Sequence, residues 1–355
     1  MSSPHTLGTV LAASPAPALR IHAGSNQKTF EAARDHGAGL VVWKGSGGAG
    51  FVVPNGSDPV TGGSAWVDLA GGDRRATPAD EDKVARRLVG ADVAVMFAPA
   101  YRAKWRTPDT LEQWLHYQAP LRQRDLAAMG HTAELIPTVV LEPEWLTDPS
   151  LRAVAINASA TVDGPVAVFL TAIISPMLDP DAVAGMVDLV ATAGNVIVVR
   201  SDEAAIGLTA NGALLATVGT SSTARFSYLG SRGKNRRPPH HDVFHLPTLT
   251  FISNDRLSVF SVPSDDADCP CHVCNGRTIR RFHDNALEVE SIAHSMACLH
   301  DLHQRVHHAG TPATAWIDEC VAAEETADRL RQRVPSFVEL GQSARTWTTA
   351  LNPTV

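Results

Sequence analysis

The sequence predicts an α/β fold built on a (β/α)8 TIM barrel, followed by a second region that carries a cluster of cysteines. Three observations carry that expectation. Eight short apolar runs rich in Val, Ile and Leu lie between residues 18 and 220, each followed by a polar or Ala-rich stretch suited to a helix, and the texture of the chain changes after residue 220. Parallel strands covered on both faces read as continuous apolar runs, and eight of them at about 25 residues per strand–helix unit are what such a barrel needs. An open doubly wound sheet is the main rival.

In order, the candidate strands are ALRIH from Ala18, GLVVW from Gly39, AWVDL from Ala65 and DVAVMF from Asp92. ELIPTVV from Glu134, VAVFL from Val166, NVIVV from Asn195 and ALLATVG from Ala213 complete the set. Two intervening stretches read as helices. KTFEAARDHGAG follows Gln27 and ends at Gly, and DEDKVARRLVGAD has an acidic start and basic later turns. A barrel would gather the strand C-terminal ends on one face: Trp43-Lys44-Gly45, Asp68, Ala98, Glu142, Thr171, Arg200-Ser201-Asp202 and Thr217 to Ser222. Beyond residue 224 the reading is a basic loop from Arg225, a hairpin pairing TLTFIS with RLSVFSV across Asn254-Asp255, and the Cys cluster. A helix from about Asn285 to Val306 follows, and another begins near Trp316. The expected division is residues 1–224 and 225–355.

Composition narrows the function classes. With 355 residues and 44% hydrophobic content the chain can bury a sizeable core, which excludes a disulfide-stapled miniprotein. Its longest strongly apolar run, PVAVFLTAIIS from Pro165, is about half of the roughly 20 residues a membrane span needs. No membrane association is expected. The N-terminus has no basic residue ahead of its modest apolar stretch, so a cytoplasmic location is the expectation. A net charge of −7 means that a polyanionic partner must be met by a local patch.

Three of the five cysteines, Cys269, Cys271 and Cys274, fall in C-x-C-x2-C spacing ahead of a His-rich helix. Three thiolates on one tight loop need a fourth ligand from another element to close a tetrahedral zinc shell. His294, Cys298, His300 and His303 are the choices, and Cys298 and His300 lie about 200° apart on a helix, so one of them faces away.

Cys269, Cys271, Cys274 and His300 form C-x-C-x2-C-x25-H, which resembles the zinc site of tRNA-guanine transglycosylases. His300-Asp301-Leu302 is similar to that family's His-Asn-Leu, and SRGKNRR from Ser231 to its basic loop after the eighth strand. The resemblance implies a TIM barrel with a C-terminal zinc-binding subdomain, structural Zn2+, and His300 as fourth ligand. It also implies base exchange, in which a carboxylate after the eighth strand attacks the ribose of a guanosine in tRNA or DNA and a 7-deazaguanine replaces the guanine. The implied partners are that nucleic acid, a guanine or 7-deazaguanine base, and a second copy or a transglycosylase paralogue.

The catalytic residues match the family only in part. Asp68, in a strand-Asp-turn setting, takes the place of the acid/base carboxylate. The family's fourth strand ends in Phe-Asp-Glu, whereas here Ala98 stands where the base-reading carboxylate belongs. The nucleophile's position falls near Thr217, with no carboxylate beside it, and Asp202 is the nearest alternative. As a structural residue Asp202 would cap the following helix. The GTSS turn after the eighth strand offers backbone N–H groups to an anion. Arg225, Arg232, Lys234, Arg236 and Arg237 supply five positive charges without a negative one and are expected to contact phosphates, with His240, His241 and His245 close behind. Two function classes follow: a transglycosylase-like enzyme that lacks the usual nucleophilic Asp, or an inactive paralogue that binds nucleic acid or a partner subunit.

Overall fold

The computed structural model describes residues 18–24, 39–43, 65–68, 82, 85, 86, 88, 89, 93–99, 108–170, 175–219, 225, 241–260 and 268–351. Strands form at the eight apolar runs: β1 (Ala18–Gly24), β2 (Gly39–Trp43), β3 (Ala65–Asp68), β4 (Val93–Pro99), β5 (Glu134–Leu141), β6 (Val166–Leu170), β7 (Val196–Ser201) and β8 (Leu215–Gly219). They pair in sequence order, all parallel, and β1 bonds β8 as well as β2, so the ladder of strands closes.

The expectation of a complete (β/α)8 TIM barrel needs correction, because among the described residues the strand–helix alternation that defines it is present over only part of the ladder. The described core is a half-barrel of five parallel strands, β4 to β8, covered by helices. After β4 come α1 (Pro108–Gln113), a π-helical stretch Trp114–Gln118 and α2 (Ala119–Ala128). After β5 come α3 (Glu144–Thr147) and α4 (Pro149–Ala160), after β6 comes α5 (Pro180–Ala193), and after β7 comes α6 (Ala204–Ala210). Among the described residues no helix separates β1 from β2 or β2 from β3. The helix expected at KTFEAARDHGAG lies outside the described residues, and only residues 82, 85, 86 and 88 of the DEDKVARRLVGAD stretch are described as helical.

Period-two alternation sorts the half-barrel into two faces. Val95, Phe97, Ile136, Ala167, Phe169, Ile197, Val199 and Leu215 form one buried cluster drawn from β4 to β8 alone. Their neighbours Met96, Leu135, Val168, Val198, Ala216 and Val218 belong to a second cluster that includes the covering helices. Helix starts follow local chemistry. Asp148 accepts hydrogen bonds from the Ser150 and Leu151 N–H groups at the head of α4, with Pro149 in the first turn, and Asp179 and Pro180 repeat the device on α5.

Past the half-barrel, β9 (Asp242–His245) and β10 (Thr250–Ser253) form an antiparallel pair. This corrects the expected hairpin: β10 pairs with the strand before it, while residues 254–257, read as a turn leading into a strand, form α7 (Asn254–Leu257). The long helix α8 (Glu288–His308), then α9 (Pro312–Arg331) and α10 (Gln342–Leu351), complete the chain. Their buried residues, Leu302, Trp316 and Trp347 among them, join the cluster that covers the strands, so the core runs continuously across residue 224. None of the described helices is long and apolar enough to cross a membrane.

Candidate metal centre and the strand ends

Residues 268–278 fold into a tight knuckle. The Cys274 and Asn275 N–H groups donate to the Cys271 carbonyl at 3.0 and 2.7 Å, and the Gly276 N–H donates to the Cys269 carbonyl at 2.9 Å. Asn275 (φ 51°) and Gly276 (φ 79°) take the left-handed conformation that turns the chain back, which is why this residue pair stands there. The Cys269 N–H donates to the Arg277 carbonyl, and Asp268 bridges Thr278. Three thiols are thereby fixed on one side of an eleven-residue loop, and the Cys274 N–H points at the Cys271 sulfur, 3.4 Å away.

Helix α8 supplies the fourth donor, and it is His294. The three sulfurs and His294 Nδ1 lie within 4.8 Å of one another, all four residues buried. Nδ1 is 3.6 Å from Cys269 Sγ, 3.4 Å from Cys271 Sγ and 3.3 Å from Cys274 Sγ. The other ring nitrogen, Nε2, is 2.8 Å from the Phe244 carbonyl, which can only accept, so Nε2–H donates to it and Nδ1 faces the sulfurs. The next residue locks the same contact, since the Phe244 N–H donates to Ser295 Oγ at 3.0 Å. Strand β9 therefore orients the ligand that α8 provides.

The assignment of His300 as fourth ligand is corrected by this geometry. His300 is exposed on α8, six residues and about 240° beyond His294, and points away from the thiols. His303 is buried too, but its ring stacks on His307, 4.3 Å between centroids. The signal for His294 was its register: His294, Cys298 and Leu302, four apart, form one buried stripe.

Electrostatics suit a cation. Hydrogen bonds from the Cys269, Cys274 and Cys298 thiols hold the Cys271 thiol far below the usual range. Burial works to lower the His294 pKa, but contacts with Cys271 and Cys274 outweigh it and raise it to about 9. A metal ion would displace that proton as it binds. The Arg281 guanidinium lies 3.6 Å from Cys274 Sγ and pairs with Glu290 at 2.7 Å, which places a positive charge beside the sulfur cluster. All five cysteines are free thiols.

The strand ends differ from what the resemblance implies. Asp68 is the last residue of β3, in register between Trp43 and Phe97, and Ala98 lies opposite Pro137. Thr217 is wholly buried, and its hydroxyl accepts the Arg200 N–H at 2.7 Å. That bond supports Arg200 in a left-handed conformation (φ 62°), so Thr217 is committed to the backbone. Gly219, at the end of β8, packs with Ser295, Met296 and Leu299 of α8 around a very small cavity.

Asp202, just past β7, accepts hydrogen bonds from the Ala204 N–H at 3.0 Å and Ser175 Oγ at 3.1 Å, the first being the helix-start contact expected of it as a structural residue. Burial raises its pKa. Beside it, burial first and the Asp202 charge second raise Glu203 to about 8. Arg225, expected to contact phosphates, is instead buried, ion-paired with Asp242, and stacked 4.0 Å over the Phe251 ring. Its charge is spent inside the fold. His241 and His245 are likewise buried, while Arg232, Lys234, Arg236, Arg237 and His240 lie outside the described residues.

Comparison with family models, with curated proteins and with solved structures gave no match. The functional reading therefore rests on the metal centre and on the residues at the strand ends.

Proposed function

We propose that this chain is a zinc-braced protein, similar to tRNA-guanine transglycosylases, that binds nucleic acid or a transglycosylase paralogue and performs no base exchange through an eighth-strand carboxylate. The observation that carries the reading is the closed Cys269–Cys271–Cys274–His294 set. Three thiolates and one imidazole fill a tetrahedral shell and leave no position for a metal-bound water, which favours a structural zinc over a catalytic one. Zinc suits a sulfur-rich tetrahedral donor set better than the hard cations do. The metal would tie the knuckle and β9 to α8. The sequence supports the loss of covalent catalysis, since residues 219–241 contain no Asp or Glu.

One observation favours a second reading, in which base exchange survives with different groups. Asp202 and Glu203 place two buried carboxyls after β7, and Asp68 ends β3. The experiment that separates the two incubates the metal-loaded protein with labelled guanine or a 7-deazaguanine base and bulk tRNA or duplex DNA, and measures incorporation and binding in parallel. Salt-sensitive binding without incorporation supports the binding subunit. Incorporation abolished by Asp202→Asn establishes the enzyme. Neither binding nor incorporation, alone or with a paralogue, overturns both.

A further inference from the structure

We infer that Cys298 is a fifth donor at the metal centre, able to replace His294, so that the site can hold a thiophilic cation in a shell of four cysteines. The inference rests on the metal reading above and extends it to a thiol outside the Cys269–Cys271–Cys274–His294 set. Cys298 sits on α8 one turn beyond His294, where residues four apart share a face. It is fully buried. Its sulfur is 3.8 Å from Cys269 Sγ and 3.7 Å from His294 Nδ1.

These separations have a simple meaning. A tetrahedral ion with metal–sulfur bonds near 2.3 Å holds its sulfurs about 3.8 Å apart and a sulfur–nitrogen pair about 3.5 Å apart. The contacts of 3.6, 3.4 and 3.3 Å from His294 to the three sulfurs are edges of one such tetrahedron. The Cys269–Cys298 distance of 3.8 Å is an edge of a second one that shares Cys269. Cys298 thus stands beside the four-donor group, touching Cys269 and His294, and would complete a four-sulfur shell by a small shift towards Cys271 and Cys274 as His294 leaves. With a metal bound, Cys298 would supply the sulfur that takes the place of His294 Nδ1, and the Cys298 proton would pass to the released Nδ1, with no change of oxidation state. Thiolate is the softer donor, so soft cations draw the site towards four sulfurs.

The test measures metal content and the ligand set of the full chain. Unaltered protein, His294→Ala, Cys298→Ser and the double variant are each loaded with Zn2+, and then with Co2+, whose charge-transfer absorption scales with the number of bound thiolates. The expected result is close to one metal per chain in both single variants and loss in the double. The thiolate absorption of His294→Ala should be about a third stronger than that of Cys298→Ser, for four sulfurs against three. Equal metal loss in His294→Ala and in the double variant would overturn the inference and leave the Cys3His reading intact. An unaltered protein that binds no metal would end both. Should His294→Ala fail to fold, the cadmium-113 resonance of the unaltered protein decides: a four-sulfur position that moves to three sulfurs and one nitrogen in Cys298→Ser supports the inference, and coincident resonances overturn it.

Discussion

Glu203 is enclosed where β7 meets α6, and burial, reinforced by the Asp202 charge, lifts its pKa from about 4.5 to about 8. In the unfolded chain it loses its proton near pH 4.5, while the folded chain keeps it until about pH 8. The folded state therefore holds more protons in that window, and stability falls as pH rises through it, by about 5 kcal/mol in full. Urea midpoints at pH 5.5 and 8.5 should show the drop, and Glu203→Gln should flatten it, whereas an unchanged pH profile in the variant would place the dependence elsewhere. At the metal centre, Cys271→Ser combined with Cys274→Ser leaves two thiols and one imidazole and should lose zinc, while His300→Ala should keep one equivalent, both read by metal analysis of desalted protein. Three of the four donors in the closed set were legible in the sequence, because C-x-C-x2-C spacing is a local signal. His294 was one of four candidates in the sequence, and its selection was not legible, since it depends on which face of α8 meets the knuckle and on a carbonyl from β9, some fifty residues upstream. Arg225 misled for a related reason: in a basic stretch its charge looks solvated, and only the fold brings Asp242 and Phe251 to it.

Among the elements, α6 shows how the C-terminal helices are seated on the half-barrel. A Cβ on Gly207 would sit 2.4 Å from Trp316 Nε1 and 2.7 Å from Trp347, so glycine is what lets α9 and α10 approach. The two indoles meet edge-on with centroids 5.4 Å apart and are fully buried. Gly207→Ala should force them apart at about 1–3 kcal/mol, read as a lowered denaturant midpoint with unchanged metal content, whereas Trp347→Ala should cost about 3–5 kcal/mol through the cavity it leaves. The strands were legible because their apolar runs are continuous, the long helix α8 because its apolar residues recur at three and four. The helical layer was overread. Among the described residues helices cover β4 to β8 only, and a count of strands does not report on the layer around them. The hairpin was misplaced because the four residues of β9 follow directly on a basic loop and carry little pattern of their own, and packing makes them the partner of β10.

Across the whole molecule, acidic and basic charge are unevenly distributed. The net charge is −7, yet Arg232, Lys234, Arg236 and Arg237 lie in a stretch, residues 226–241, without a single carboxylate. Arg225 no longer counts towards that strip, because its guanidinium is neutralised by Asp242 within the core. If the chain binds a polyanion as proposed, the strip offers it four cations in a molecule of net charge −7. Each phosphate neutralised releases condensed counterions, so affinity for a duplex should fall with salt at a log–log slope of about −0.9 per contact, or between about −3 and −4 for four. Reversing Arg236 and Arg237 to Glu should make that slope shallower by about 2 and weaken binding alike across sequences, because phosphate contacts carry no base information. Titrations of bulk tRNA and duplex DNA between 50 and 200 mM salt provide the measurement, on the scale where such slopes are resolved. A slope unaffected by the double reversal would show that the strip is only solvated, and would leave a partner subunit as the surviving form of the binding proposal.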